Sequence, residues 1–141
     1  MSKSTLILIY LISYLCFAQT NTEYISFNSS NPFSFSDVIN NFDNLEEQKV
    51  YGKLTIPYDS LNPGKKFPLV IGVAGSLGWK SHHLDYLKMY QDLGFATFEL
   101  NSFKSRDIES TVGEQNQVTT AAMVVDAYKA LEVLSNHPYI N

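Results

Sequence analysis

The sequence predicts an α/β fold, mostly parallel strands flanked by helices, and three observations carry that expectation. An apolar run, Leu69-Val70-Ile71-Gly72-Val73, leads directly into the glycine turn Gly75-Ser76-Leu77-Gly78. A helix-length stretch follows with Leu84, Leu87, Tyr90 and Leu93 at a spacing of three, and it stops at Gly94. A second apolar run, Phe95-Ala96-Thr97-Phe98-Glu99-Leu100, comes next. Strand, turn, helix and strand in that order form a βαβ unit, whose crossover sets the two strands parallel.

The chain has 141 residues, a hydrophobic fraction of 45%, a charged fraction of 17% and a formal net charge of -4. Those values describe a globular chain rather than a disordered one. No run of Lys or Arg supplies an electrostatic footprint for a phosphate backbone or an anionic membrane, so nucleic acid is excluded as a partner class. The first eighteen residues read differently. Lys3 precedes an almost wholly apolar stretch, 5–18, and polar Gln19-Thr20-Asn21-Thr22 follows it. That stretch is shorter than the roughly 20 residues needed to span a bilayer. Cys16 and Ala18 put small residues where a signal peptidase cuts, so 1–18 is expected to be a signal peptide cleaved after Ala18. An uncleaved anchor is the alternative, whereas lipidation of Cys16 is disfavoured by bulky Tyr14 and Leu15 before it. A secreted or periplasmic location follows from the expected cleavage, with no stable membrane insertion afterwards. The cut also removes the single cysteine, so the mature chain has no internal disulfide and depends on packing.

After the leader, 19–48 is rich in Asn and Ser with scattered Phe27, Phe33, Phe35 and Phe42, and it shows neither alternation nor helical spacing. It is read as a lead-in that packs its aromatics on the main body, 49–141. Residues 50–57 alternate apolar with polar or small side chains and end at Pro57, the pattern of an edge strand. A turn at 58–66 contains Asp59, Asn62, Pro63 and Gly64. The run 69–73 is apolar on both faces and is expected mid-sheet. Ser81 is the expected N-cap of the helix that follows. A long helical pattern carries Val118, Ala121, Ala122, Val125, Tyr128, Leu131 and Leu134 until His137-Pro138 ends it. Thr111 and Glu114 have the spacing of a capping box near its start. The apolar positions of both helices are expected in the core. Alternation predicts another buried strand after Pro138, and only Tyr139-Ile140-Asn141 follow.

Ligands of open α/β sheets bind outside the carboxyl ends of the strands, which brings the turn at 75–79 and the loop at 101–116 to one edge. A glycine turn there presents backbone N–H groups that suit either a phosphate or a developing oxyanion. Arg106 in the second loop is read evenly as a bidentate partner for a substrate carboxylate or as a structural ion pair. His82 and His83, adjacent on a helix, point in different directions and have no carboxylate or cysteine at ligand spacing, so no metal and no cofactor are expected. His137, at a helix end before proline, is expected to interact with the helix dipole.

The segment Phe67-Pro68-Leu69-Val70-Ile71-Gly72-Val73-Ala74-Gly75-Ser76-Leu77-Gly78-Trp79 resembles a dienelactone hydrolase-like strand running into a His-Gly-Ser-x-Gly-Trp turn. Gly94-Phe95-Ala96-Thr97-Phe98, then Asn101-Ser102-Phe103 with Arg106, resembles the same family's strand followed by Asp-Ser-Phe-x-x-Arg. Ser110-Thr111-Val112-Gly113-Glu114-Gln115 and the helix at 121–134 extend the resemblance over about 49–141. Ala74 and Asn101 stand where the family carries His and Asp. The resemblance implies the N-terminal portion of an α/β-hydrolase sheet, truncated before the nucleophile strand, and hydrolysis of a small carboxylic ester or lactone through an acyl-enzyme in the intact protein.

The same resemblance implies that the backbone N–H groups of Ser76 and Leu77 serve the oxyanion hole and that Trp79 lines the substrate site, although packing alone also accounts for an aromatic there. No Gly-x-Ser/Cys-x-Gly elbow occurs, so the nucleophile, acid and histidine are absent and no catalytic residue is assigned in this chain. The competing expectation is a non-catalytic, exported α/β binding module that uses the Gly75–Gly78 turn as an anion site. A flavodoxin-like nucleotide site is disfavoured by Trp79 beside the loop and by the lack of a Walker lysine.

Overall fold

The computed structural model describes residues 20–57, 59 and 62–141. The expected leader at 1–18 and part of the turn at 58–66 lie outside the described residues. Four strands form one mixed sheet with helices packed on it, an α/β arrangement: β1 (Thr20–Ser30), β2 (Glu47–Pro57), β3 (Leu69–Val73) and β4 (Ala96–Leu100), in the order β1-β2-β4-β3. The helices are α1 (Phe35–Asn40), α2 (Ser81–Asp92) and α3 (Thr120–Leu134), with short 3-10 turns at Phe42–Asn44 and Lys104–Arg106.

β3 and β4 are parallel, from Leu69 opposite Ala96 to Val73 opposite Leu100, as the βαβ pattern requires. The other two pairings are antiparallel, so the expectation of a mostly parallel sheet is corrected. The cause lies in 20–30, expected to be irregular and found as an eleven-residue strand whose whole length pairs with β2. Its inward positions are Ile25, Phe27 and Ser29, and the buried Ser29 conceals the alternation because a serine does not read as core. β1 also moves β2 from the expected edge to the interior. Conversely, β3, expected mid-sheet, is the last strand in the described order and is only half-buried, with Val73 42% exposed. Beside its start, Phe67 makes an isolated parallel bridge to Ile140: Phe67 N–H donates to Tyr139 O at 2.8 Å and Asn141 N–H to Phe67 O at 3.0 Å.

β4 is the centre of the molecule, with Ala96, Thr97, Phe98 and Leu100 all buried. Phe27, Val50, Leu54 and Phe98 build the core with Ala130 and Leu134 of α3. Gly52 of β2 admits the Phe98 ring, because a Cβ there would stand 2.2 Å from the ring's ζ carbon. On the opposite face, Thr97 accepts a hydrogen bond from Gln91 of α2, and Leu87 of α2 lies against Gly72. Over β1 and β2 that second face is polar, carrying exposed Tyr24 and a Lys53–Glu99 contact at 3.9 Å. One face packed and one solvated is the usual state of antiparallel strands, whereas parallel strands are covered on both.

Helix limits follow local chemistry. Ser34 and Asp37 form a capping box at α1, Asp37 accepting from Ser34 N–H at 2.7 Å and Ser34 Oγ from Asp37 N–H at 3.3 Å. α2 starts at Ser81 with Lys80, not Ser81, as the cap residue, and after Asp92 and its C-cap Leu93 comes Gly94, whose φ of 85° is the left-handed conformation that glycine enters at least cost. α3 is capped by Thr119, whose Oγ1 accepts from Ala122 N–H at 3.0 Å. The expected capping box at Thr111 and Glu114 is therefore a loop turn instead, closed by Glu114 N–H to Thr111 O at 3.2 Å. Nor are the helical stripes all core. Leu87 is the buried residue of α2, while Leu84, Leu93, Tyr128 and Leu131 are exposed, since nothing among the described residues covers those outer faces.

Candidate functional site

The carboxyl ends of β3 and β4 open into a cavity of about 200 Å³, framed by the turn after β3 and the loop after β4. Both loops were expected at this edge, because open α/β sheets place ligand sites outside the carboxyl ends of their strands. Leu77, Gly78 and Trp79 contribute from the first, Asn101, Ser102 and Phe103 from the second. Phe103 joins Val118 and Ala122 in a small apolar cluster supported by Ile108 and Met123, so the cavity has a packed wall on the α3 side.

The two loops are stitched together. Gly75 O accepts from Gly78 N–H at 2.8 Å, which closes a tight turn. Ser76 O accepts from Thr111 N–H at 2.8 Å and from Ser110 Oγ at 3.0 Å. Gly78 is required twice over, by a φ of 69° and by Glu109 O, which would lie 2.9 Å from an added Cβ. Among the described residues, the N–H groups of Ser76 and Leu77 have no backbone acceptor. Leu77 lines the cavity and Ser76 does not.

Trp79 lines the cavity and also has a structural task. Its indole N–H donates to Leu100 O at 2.9 Å, and its six-membered ring fills the space that Gly72 leaves by lacking a side chain. His83 meets that indole edge-on with centroids 5.8 Å apart, and its Nδ1 accepts from Lys80 N–H at 3.1 Å. His82 and His83 pack ring to ring at 4.0 Å.

Arg106 does not line the cavity, and the structural side of its even reading is the one the geometry takes. Its guanidinium donates to both oxygens of Asp126, Nη1 at 2.8 Å and Nη2 at 3.1 Å. Ser102 O, Ser30 O and Asn31 Oδ1 accept its remaining donations at 2.8, 3.2 and 2.7 Å. The side chains of the pair are 6% and 0% exposed. Ser29 Oγ donates to Asp126 as well, at 2.5 Å. Sequence reasoning missed Asp126, though a signal existed: an acid among Ala122, Val125 and Ala130 on the apolar face of a helix needs a cationic partner.

Asn101 is equally committed. Its side-chain amide donates to Glu99 O at 3.0 Å, and its backbone oxygen accepts from Ser105 Oγ at 2.6 Å. Ala74 adds only a methyl group to the cavity wall. Ser102 Oγ is different: it is buried without a hydrogen-bond partner among the described residues, in a residue that lines the cavity. His137 lies remote from this edge, its Nε2 2.9 Å from Glu23 of β1, so it meets a side-chain carboxylate as well as a helix end.

Fold and site together define an α/β protein with a small cavity at the carboxyl ends of its parallel strands, framed by a glycine turn. No protein-family model matches the chain, and no curated protein matches it in sequence. Among solved structures it is similar to one named m3DLH, with a TM-score of 0.47 and 15% identity over 85% of this chain. It is also similar to a dienelactone hydrolase-like promiscuous phosphotriesterase, P91, from metagenomic libraries, with a TM-score of 0.42 and 15% identity over 84% of this chain. The chain spans 45% of the length of each.

Proposed function

We propose that this chain is the N-terminal part of an exported α/β-hydrolase of the dienelactone hydrolase type, which cleaves a small carboxylic ester or lactone through an acyl-enzyme. The observation that carries the reading is the placement of the glycine turn: Leu77 lines a cavity at the carboxyl ends of β3 and β4, where an oxyanion donor must stand. One such donor stabilises the transition state by about 2.7–4 kcal/mol in a complete enzyme. The residues present supply no nucleophile, acid or catalytic histidine, so by themselves they are inactive in this reading.

The bridge between Phe67 and Ile140 adds to it. A strand continuing in that register would lie parallel to β3, on the edge that no strand among the described residues pairs with, and would deliver an elbow nucleophile to the same end of the sheet. The coding DNA beyond the codon for Asn141 tests the reading. A buried strand ending in Gly-x-Ser/Cys-x-Gly is expected there, and the protein extended by it should hydrolyse p-nitrophenyl acetate. Absence of such an elbow in every frame would sink the proposal and favour the exported anion-binding module, for which the mature chain alone should unfold in one cooperative transition.

A further inference from the structure

The solvated face of the sheet carries a motif that the cavity leaves unused. Asn28-Ser29-Ser30 is the single Asn-x-Ser/Thr triplet in the sequence, the acceptor pattern for an N-linked oligosaccharide. Side chains alternate along a strand, so the inward turn of Phe27 and Ser29 sends Asn28 to the polar face of β1 and β2. There Asn28 is exposed, near exposed Ser26 and opposite exposed Lys49. Its carboxamide is half committed. Oδ1 accepts from Lys49 Nζ at 3.4 Å, while Nδ2 has no acceptor among the described residues. Nδ2 is the atom that carries the sugar in an N-glycan, and Oδ1 keeps its lone pairs for Lys49 after the attachment.

The triplet is also late to be enclosed. β1 pairs with β2, which begins at Glu47, and Ser29 Oγ donates to Asp126, 97 positions further along. Until those partners are made, Asn28 belongs to unpaired chain that can bend into an enzyme's site. We propose that Asn28 is an N-glycosylation site, modified as the chain enters the lumen of a glycosylating secretory compartment. The donor class is a lipid-linked oligosaccharide pyrophosphate. Nδ2 bonds to the anomeric carbon as the bond from that carbon to the pyrophosphate oxygen breaks. The electron pair leaves with the lipid pyrophosphate, and a base of the transferase takes the proton that Nδ2 gives up. Ser30 supplies the hydroxyl that the transferase reads and is not itself modified. The sugar then stands over the polar face, opposite the core beneath α3. This rests on the reading of 1–18 as an export leader and is independent of the hydrolase assignment.

The test is cell-free translation of the full chain with microsomes from a glycosylating secretory membrane. Chains protected from added protease are expected to carry a single glycan, read as a mass increase that an endoglycosidase removes. Asn28→Gln and Ser30→Ala are expected to abolish the increase, and Ser30→Thr, which keeps the hydroxyl, to retain it. These readouts do not require a variant to fold. Protected chains without the increase, or an increase that survives Asn28→Gln, overturn the proposal. A full chain that stays outside the microsomes ends the export reading instead, and residues 19–141 behind a leader of proven translocation then test Asn28 alone, with the same two outcomes. In the purified glycoprotein, trimming the glycan is expected to leave the urea midpoint where it was, as changes on an open surface do. A marked rise in midpoint on trimming would overturn the outward placement of the sugar.

Discussion

Arg106 and Asp126 show how one side chain's surroundings decide between a functional and a structural reading. The arginine makes five hydrogen bonds, all within the protein. Removing one partner leaves the other charge buried and unmatched, so Asp126→Ala is expected to cost about 3–5 kcal/mol in urea unfolding. The paired replacement Arg106→Met with Asp126→Leu is expected to cost much less, because it removes both desolvated charges together. Equal losses in the two variants would show that packing rather than charge holds the site. Asn101 offers a companion case. Its amide donates to Glu99 O, which a carboxylate is unable to do, so Asn101→Asp places two acceptors face to face. A loss of about 1–3 kcal/mol is expected at neutral pH. The folded protein disfavours the new carboxylate and raises its pKa above the unfolded value, so that loss should shrink as the pH falls through the raised pKa and reach its minimum near about 4, where the unfolded chain's carboxyl also protonates. Unfolding curves at both pH values check the sign.

For the elements, the sequence was most legible where one periodicity ran unbroken. The βαβ unit from β3 to β4, its glycine stop at Gly94 and the break after α3 were all readable, because apolar spacing and turn residues agreed. β1 was not. Its buried face mixes Ile25 and Phe27 with Ser29, and Ser29 is buried because its hydroxyl reaches Asp126, a partner 97 positions away that no local window contains. The order of the strands was illegible for a related reason: β2 looks like an edge until β1 is known to be a strand. The two loops of the candidate site were placed correctly by topology, whereas the commitment of Arg106 depended on Asp126, whose burial only the tertiary structure reveals. Gly52 supplies a test of the β2–β4 contact. Gly52→Ala drives a methyl group into the Phe98 ring and toward Glu99 O, and a loss of about 1–3 kcal/mol in thermal or urea unfolding is expected. An unchanged midpoint would mean that the ring swings aside freely.

Across the whole molecule, apolar surface is spread unevenly. The face of the sheet beneath α3 holds the main core, while Leu84 and Leu93 on α2, Tyr128 and Leu131 on α3, and Val73 at the end of β3 are exposed. A parallel edge that no strand among the described residues pairs with, beside such surface, is a template for association. Val73→Lys is expected to reduce light scattering of the concentrated chain without lowering its unfolding midpoint, as a charge at a strand edge commonly does. Scattering unchanged by the lysine would move the sticky surface to the helices.

The contact of Ser29 with Asp126 also sets an order of events. A ribosome adds about 5–20 residues per second, so β1 is made seconds before the acid that receives its serine. Until Asp126 has emerged, Arg106 lacks its counter-charge, and closing so long a loop adds entropy that local contacts do not repay. Although it is made before every other described element, β1 is therefore among the last of them to be locked.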